Sequence, residues 1–287
     1  MKENIVKRVL YTANVGRYDR VMQPHIVNPN FDYVLFTNDQ DIKEERIGVW
    51  QIRKISYVNE DNTRIARWVK THPHILLPEY DYSIWIDSNV NIESSEAYAL
   101  FDKFFSMSVP VSCFVHLNRD CIYDEGLQVG IYNREDFSSI IPQMLFLKKE
   151  GYPRHYGLSE TNCVYRNHHI NKVNKLNEEW WNMICRFSRR DQLSFCYVLW
   201  KNGIESPYLL GDKHNSRNHP YFKYSLHASM QTLDWTPSRI VMRMLSFAYN
   251  RMINAASQSI GEKFWALTMY SMNSVFRAFN LIPKLRK

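Results

Sequence analysis

A chain of 287 residues with 45% hydrophobic and 23% charged side chains has an ordinary globular composition, and enough length for one large α/β core with an appendage. Its net charge of +7 is localised: across residues 236–287 the eight basic residues Arg239, Arg243, Arg251, Lys263, Arg277, Lys284, Arg286 and Lys287 face the single acid Glu262, a surplus equal to that of the whole chain. A neutral body with a basic tail excludes a body-wide nucleic-acid groove and points to an anionic surface as partner.

In chain order, residues 6–13 read as a first strand ending at the turn Asn14-Val15-Gly16, and residues 32–37 (DYVLFT) as a second ending at Asn38-Asp39. Residues 50–55 suit a third strand. A helix is expected over 62–76, with Ile65, Trp68, Val69 and His72 on one face and Arg64, Arg67 and Lys70 projecting elsewhere. Residues 82–86 (YSIWI) form an uninterrupted apolar run, as in a central strand covered on both faces. Helices follow at 94–106, 136–150, 177–187 and 190–201, and strands at 109–116 and 162–166. Strands alternating with helices imply a doubly wound, mostly parallel sheet.

From residue 236 onward the chain turns Met-rich, apolar and basic, with helical stretches at 240–253 and 264–279. The longest uncharged stretch there, 264–276, has 13 residues, short of the ~20 needed to span a bilayer. Two readings stand open for this tail: amphipathic helices on a membrane surface, or helices packed on the body or in an oligomer seam. The division expected is a 1–235 body and a 236–287 tail. Five cysteines, odd in number and without a CxxC pair, read as reduced small hydrophobes, and no secretory pattern opens the chain. Both features predict a cytoplasmic protein.

The sharpest chemical feature is Asp87-Ser88-Asn89, where the run 82–86 stops. Ligands of open α/β sheets gather at the carboxyl ends of strands, and a carboxylate with an amide oxygen two residues on supplies two hard ligands for Mg²⁺ or Mn²⁺. Taken alone the pattern is weak, because Asp and Asn are also ordinary turn residues. Tyr11, Thr12 and Ala13 end the first strand, where backbone groups would cradle a nucleobase and Tyr11 would stack on it. Thr37, Asn38 and Asp39 would reach the base or ribose, and the alternative for both strand ends is an ordinary turn. Arg64, Arg67 and Lys70, at i, i+3 and i+6, either neutralise a diphosphate or form a solvated helix face. Asp191, flanked by Arg189 and Arg190 at a helix start, is either an N-terminal cap or an ionised general base.

Several blocks in fixed order carry a resemblance: Tyr11-Thr-Ala-Asn-Val-Gly-Arg-Tyr-Asp19, Phe36-Thr-Asn-Asp39, Lys70-Thr-His-Pro-His74, Trp85-Ile-Asp-Ser-Asn89, His116 with Arg119-Asp-Cys-Ile-Tyr-Asp-Glu125, Gly157-Leu-Ser-Glu-Thr161, Trp180-Trp181 and Arg190-Asp-Gln-Leu-Ser-Phe195. Over roughly residues 8–230 the chain resembles the glycosyltransferase-like family that includes the plant mucilage-related and pollen-tube turgor proteins and bacterial polysaccharide enzymes. The resemblance implies a GT-A fold, a nucleotide-sugar donor such as a UDP-sugar, Mn²⁺ or Mg²⁺, and a glycan or lipid-linked glycan acceptor. On this view Asp87 and Asn89 stand where the family has a D-x-D metal turn, Ser88 lies in the donor site, and the Asn in place of a second Asp calls for a third ligand. His214, His219 and His227 are available for that role, and His227 is preferred. Asp191 becomes the catalytic base, with Asp124 or Glu125 in reserve. Glu160 is assigned to the donor sugar, and His116, Arg119, Trp180 and Trp181 to the acceptor. The implied enzyme works at the cytoplasmic face of the inner membrane. A sugar-nucleotide nucleotidyltransferase or a catalytically inactive membrane scaffold are the alternatives.

Overall fold

The computed structural model describes residues 5–18, 22–225, 238–279 and 281. The chain forms two compact units: Met1–Asn118, Ser159–Asn182 and Val198–Thr232 make the first, and Arg119–Leu158, Met183–Tyr197 and Leu233–Lys287 the second.

The first unit is built on strands β1 (Arg8–Asn14), β2 (Phe31–Thr37), β3 (Arg46–Ile47), β4 (Trp50–Lys54), β5 (Tyr82–Ile86), β6 (Val90–Ile92), β7 (Val111–Val115), β8 (Ser159–Asn167) and β9 (Phe222–Tyr224). Seven of them form one sheet in the order β3-β4-β2-β1-β5-β8-β7, and β6 pairs separately with β9. The adjacent strands β4, β2, β1 and β5 run parallel. The edges are antiparallel, β3 against β4 at one side and β8 between β5 and β7 at the other. All five residues of β5 are buried, as its unbroken apolar run requires of a strand covered on both faces.

Two helices cross between β4 and β5 where one was expected. Asp61 caps α1 (Asn62–Thr71) by accepting from the Thr63 amide at 2.9 Å. Pro73, with no N–H and a ring that disfavours helical geometry before it, stops α1 at His72 and starts the short α2 (Pro73–Leu76). Helix α3 (Ser95–Ser106) is capped by Ser94 and buries Ala97, Tyr98, Phe101 and Phe104. These pack with Leu10, Leu35, Ile84 and Ile86 from one face of the sheet into an apolar core of this unit.

The second unit contains α4 (Ile122–Ile131) and α5 (Phe137–Lys149), and the chain passes between units within α6 (Asn171–Arg186) and α7 (Gln192–Lys201). Helix α4 has no counterpart in the sequence reading. It is buried nearly all round and contains Gly126 and Gly130, so it shows neither an apolar stripe nor helix-favouring composition. Its glycines admit close neighbours: a Cβ on Gly130 would lie 2.4 Å from the Phe137 ring.

The tail helices α8 (Arg239–Asn254) and α9 (Ile260–Ala278) pack on each other, with α8 against α4 and α9 against α5. Lys148 joins both, donating to the Met252 carbonyl at 3.0 Å and to Glu262 at 2.5 Å. Tyr249 is buried and donates to the Tyr123 carbonyl at 2.8 Å. The expected boundary at 235 set these helices apart as an appendage, whereas contacts group them with α4 and α5 in the second unit. Among the described residues no helix is long and apolar enough to cross a membrane.

Candidate active site

Strand β2 lies on one side of β1 and β5 on the other, so the strand order reverses between β1 and β5. Such a switch point leaves a crevice at the carboxyl ends of the strands. There a cleft of about 460 Å³ is lined by Leu10, Thr12 and Asn14 from β1, Trp50 from β4, and Ile86, Asp87 and Ser88 at the end of β5. The Thr12 hydroxyl is buried with no partner among the described residues, a polar group placed at a cavity wall.

Residues 87–90 form a turn in which the Val90 amide donates to the Asp87 carbonyl at 2.9 Å. The Asp87 amide donates to the Asn162 carbonyl of β8 at 2.8 Å, which anchors the turn to the sheet. The Trp85 indole donates to Asp87 Oδ1 at 2.6 Å, and Lys70 Nζ lies 3.6 Å from the same oxygen. Lys70 is 1% exposed, its ammonium over the rings of Trp85 and Trp180 at 5.5 and 5.9 Å. A buried cation thus fixes one oxygen of the carboxylate.

Asn89 Nδ2 donates to the Ser225 carbonyl at 2.9 Å, while the Asn89 carbonyl accepts from the Ser225 amide at 2.8 Å. Its Oδ1 is buried and has no hydrogen-bond partner among the described residues. An orphaned amide oxygen two residues from a fixed carboxylate is a donor set that suits a hard divalent cation. The amide pairing also gives a reason for Asn here: a carboxylate at this position would set a second acceptor against the Ser225 carbonyl. His227 lies outside the described residues. His214 and His219 approach each other with ring centroids 5.2 Å apart, and burial, then the neighbouring His214, lowers the pKa of His219.

Two expected roles are corrected by burial. Tyr11 is wholly buried, donates to the Lys70 carbonyl at 3.0 Å and accepts from Arg166 Nη1 at 3.1 Å. Burial pushes its phenol up to about 12. It is a core residue behind the site and offers no face to a nucleobase. Trp180 is also fully buried, with the Arg166 guanidinium 5.4 Å from its ring centre, and cannot stack on a sugar. Trp181 is half-buried and meets Tyr57 and His72 edge-on.

The remaining residues of the first unit fall in distinct places. Ala13 is partly exposed on the Tyr11 side of β1. Thr37 is buried and accepts from the Asp39 amide at 3.1 Å, and Asn38 accepts from the Gly16 amide at 2.9 Å. Asp39 pairs with Arg17, whose hydrogen bonds hold the carboxyl below its usual range. Arg64 turns back 3.7 Å from Asp61, and Arg67 is partly exposed on α1. Lys70 points into the core, so the expected cationic stripe is divided. Glu160 is buried with Arg217 on one oxygen and Asn215 Nδ2 on the other at 2.8 Å. His116 is partly exposed just past β7.

In the second unit, Arg119 pairs with buried Glu125, and Asp124 pairs with Arg154 at 2.9 Å. Asp191 is 3% exposed, and its carbonyl accepts from the Ser194 and Phe195 amides, both at 3.2 Å, opening α7. The segment before it rests on Glu135, which accepts from the Ser188 hydroxyl and the Arg189 amide.

Sequence reasoning gave no role to Trp85, to Arg166 or to Thr161, the last of which accepts from Lys70 Nζ at 3.3 Å. Trp85 was legible in principle, because strand residues i and i+2 share a face and Trp85 stands two before Asp87. Arg166 and Thr161 lie in β8, expected over 162–166 and buried along its whole length although it mixes polar and apolar residues, so no alternation marks which of them face the site.

Comparison with known proteins bears on the same region. The family model of the TOD1/MUCI70 glycosyltransferase-like domain matches residues 15–211, which include both the Asp87 turn and Asp191. The chain is similar to the probable hexosyltransferase MUCI70 of Arabidopsis thaliana, 24% identical over 164 residues that cover 54% of this chain and 28% of the plant protein. It therefore spans under a third of that relative's length. The α/β sheet with a parallel centre and its cleft at the switch point is GT-A-like. With more than half of its length matched by the family model, the chain belongs to the TOD1/MUCI70 family of glycosyltransferase-like domains.

Proposed function

We propose that this chain is a metal-dependent glycosyltransferase that moves a hexose from a UDP-sugar to a glycan or lipid-linked glycan acceptor in surface polysaccharide synthesis. The observation that carries the reading is the switch-point cleft ending at a carboxylate fixed by Trp85 and Lys70, with the orphaned Asn89 oxygen two residues on. Family membership supports the transferase class, and the hexosyltransferase name of the plant relative supports a hexose.

In this reading Asp87 and Asn89 would hold Mn²⁺ or Mg²⁺, and a bound ion would supply positive charge for a diphosphate leaving group. Asn89 brings one oxygen and no charge, so a third protein ligand is needed. His227, preferred from the sequence and outside the described residues, is proposed for that ligand. Thr12 and Ser88 line the donor cleft. Asp191 takes the proton of the acceptor hydroxyl as that oxygen bonds the anomeric carbon, and the electron pair of the breaking bond leaves with the nucleoside diphosphate. This is an inverting displacement. The enzyme acts at the cytoplasmic face of the inner membrane, where a lipid-linked acceptor is presented.

A nucleotidyltransferase would need a free basic loop after β1, whereas Arg17 in that turn is committed to Asp39 and Asp41. A screen of nucleotide sugars for release of nucleoside diphosphate, with and without Mn²⁺, tests the proposal. Release from at least one UDP-sugar, abolished by chelation and by Asp191→Ala, is expected. No release from any donor in the presence of acceptor glycan, with the variants equal to wild type in supporting glycan synthesis, would favour the inactive scaffold instead.

A further inference from the structure

The paired helices α8 and α9 bury one face in the second unit and leave another without a partner among the described residues. The buried face is Val241, Leu245, Tyr249 and Met252 on α8, with Ala266, Met269 and Phe276 on α9. On the outer face of α9, Ile260, Phe264, Leu267 and Val275 recur at helical spacing, and the first three are 87%, 58% and 66% exposed. Ile240, Met244 and Phe247 form a similar exposed stripe on α8. The stripes meet at Trp265, whose ring lies 5.5 Å from Phe247 and 5.1 Å from Phe264. Seven large apolar side chains are thus exposed on two adjacent helices, where scattered single ones are usual on a monomer.

Charge identifies the occupant. Arg239, Arg243, Arg251 and Lys263 are exposed beside the stripes, and Arg251 lies 5.3 Å from the Phe247 ring. The only acid in either helix is Glu262, buried and paired with Lys148. A second copy seated face to face would bring these cations against one another. An anionic lipid surface accepts both parts at once, aromatic and aliphatic side chains at the acyl boundary and cations at the headgroups.

We infer that the α8–α9 pair docks on an anionic membrane, with Phe264, Leu267 and Phe247 entering the interface and Arg243, Arg251 and Lys263 at the headgroups. This deepens the proposed membrane partner but does not depend on sugar transfer. Removing the tail is a poor test, because its inner face is core. Phe264→Glu/Leu267→Glu alters only exposed positions. Co-sedimentation of the full chain with phosphatidylcholine vesicles, with and without phosphatidylglycerol, reads the effect. Binding is expected only with phosphatidylglycerol, about tenfold or more weaker in the double Glu variant, and reduced by Arg243→Glu/Arg251→Glu. Circular dichroism should match wild type throughout. Equal binding by all variants, absence of wild-type binding, or a dimer in sedimentation velocity that Phe264→Glu/Leu267→Glu splits into monomers would each overturn the inference. Lost nucleotide-sugar turnover with intact vesicle binding would count against the transferase reading alone.

Discussion

Asn89 is the residue at which the site departs from a two-carboxylate metal turn, and its packing bears on how that departure can be tested. Its Nδ2 donates to the Ser225 carbonyl at 2.9 Å, and its Oδ1 has no hydrogen-bond partner among the described residues. Restoring a second carboxylate with Asn89→Asp adds charge for a metal but replaces a donor by an acceptor facing a carbonyl. The expected result is a loss of about 1–3 kcal/mol in urea unfolding. An unchanged or higher midpoint would show that the Ser225 contact contributes little. Asp87 has a related double role, since Lys70 is buried beside it. Asp87→Asn therefore removes a carboxylate beside a buried ammonium as well as weakening the metal site, and activity lost in that variant has meaning only beside its unfolding curve.

Among elements, those with a strong local pattern were legible and those shaped by tertiary contact were not. Strand β5 matches the apolar run 82–86 residue for residue, and Ser94 and Asp136 cap α3 and α5 as their residue types predict. The Pro73 break was readable but passed over, because the apolar period continues through it. Helix α4 was invisible: eight of its ten residues are buried and its two glycines weaken any helical signal. Those glycines have packing reasons. Gly130→Ala places a methyl 2.4 Å from the Phe137 ring. Although alanine favours helix by up to ~1 kcal/mol, the overlap should cost about 1–3 kcal/mol, giving a lower urea midpoint. A raised midpoint would mean that Phe137 has room to move. At the site itself, the sequence marked Asp87 but not its supports, because the contacts from Lys70 and β8 join positions 17 or more residues away along the chain. Tyr11 and Trp180 were misread for the complementary reason: an aromatic side chain reads the same whether it lines a cleft or fills the core behind it.

For the molecule as a whole, histidine burial sets an acid limit. Burial, reinforced by Arg166, pushes His168 down to about 4 from an ordinary 6.5. Burial likewise lowers His72 and His74. Below pH 6.5 the unfolded chain takes up protons that the folded chain refuses, so the unfolded state binds more protons and stability rises with pH. The contribution is complete above pH 6.5 and is lost as pH falls towards 4. The urea midpoint should therefore decline from pH 7 to pH 5, less steeply in His168→Asn, which keeps a polar group near Ser83. A flat wild-type profile would contradict it. The same scale explains why the tail's charge was readable and its packing was not. Composition alone marks residues 236–287 as basic and apolar, but only contacts show which apolar residues fill the second unit and which remain outside.

The central claim is that the turn Asp87-Ser88-Asn89 at the β1–β5 switch point holds a nucleoside diphosphate through a divalent metal. Calorimetric titration of UDP, GDP and ADP into the protein, with Mn²⁺ and again with chelator, tests it most directly. One of the three should bind at least about tenfold more tightly with Mn²⁺, a gain of 1.4 kcal/mol or more, and Asp87→Asn, checked for folding, should lose that gain. Binding that ignores the metal and survives Asp87→Asn unchanged would contradict the account.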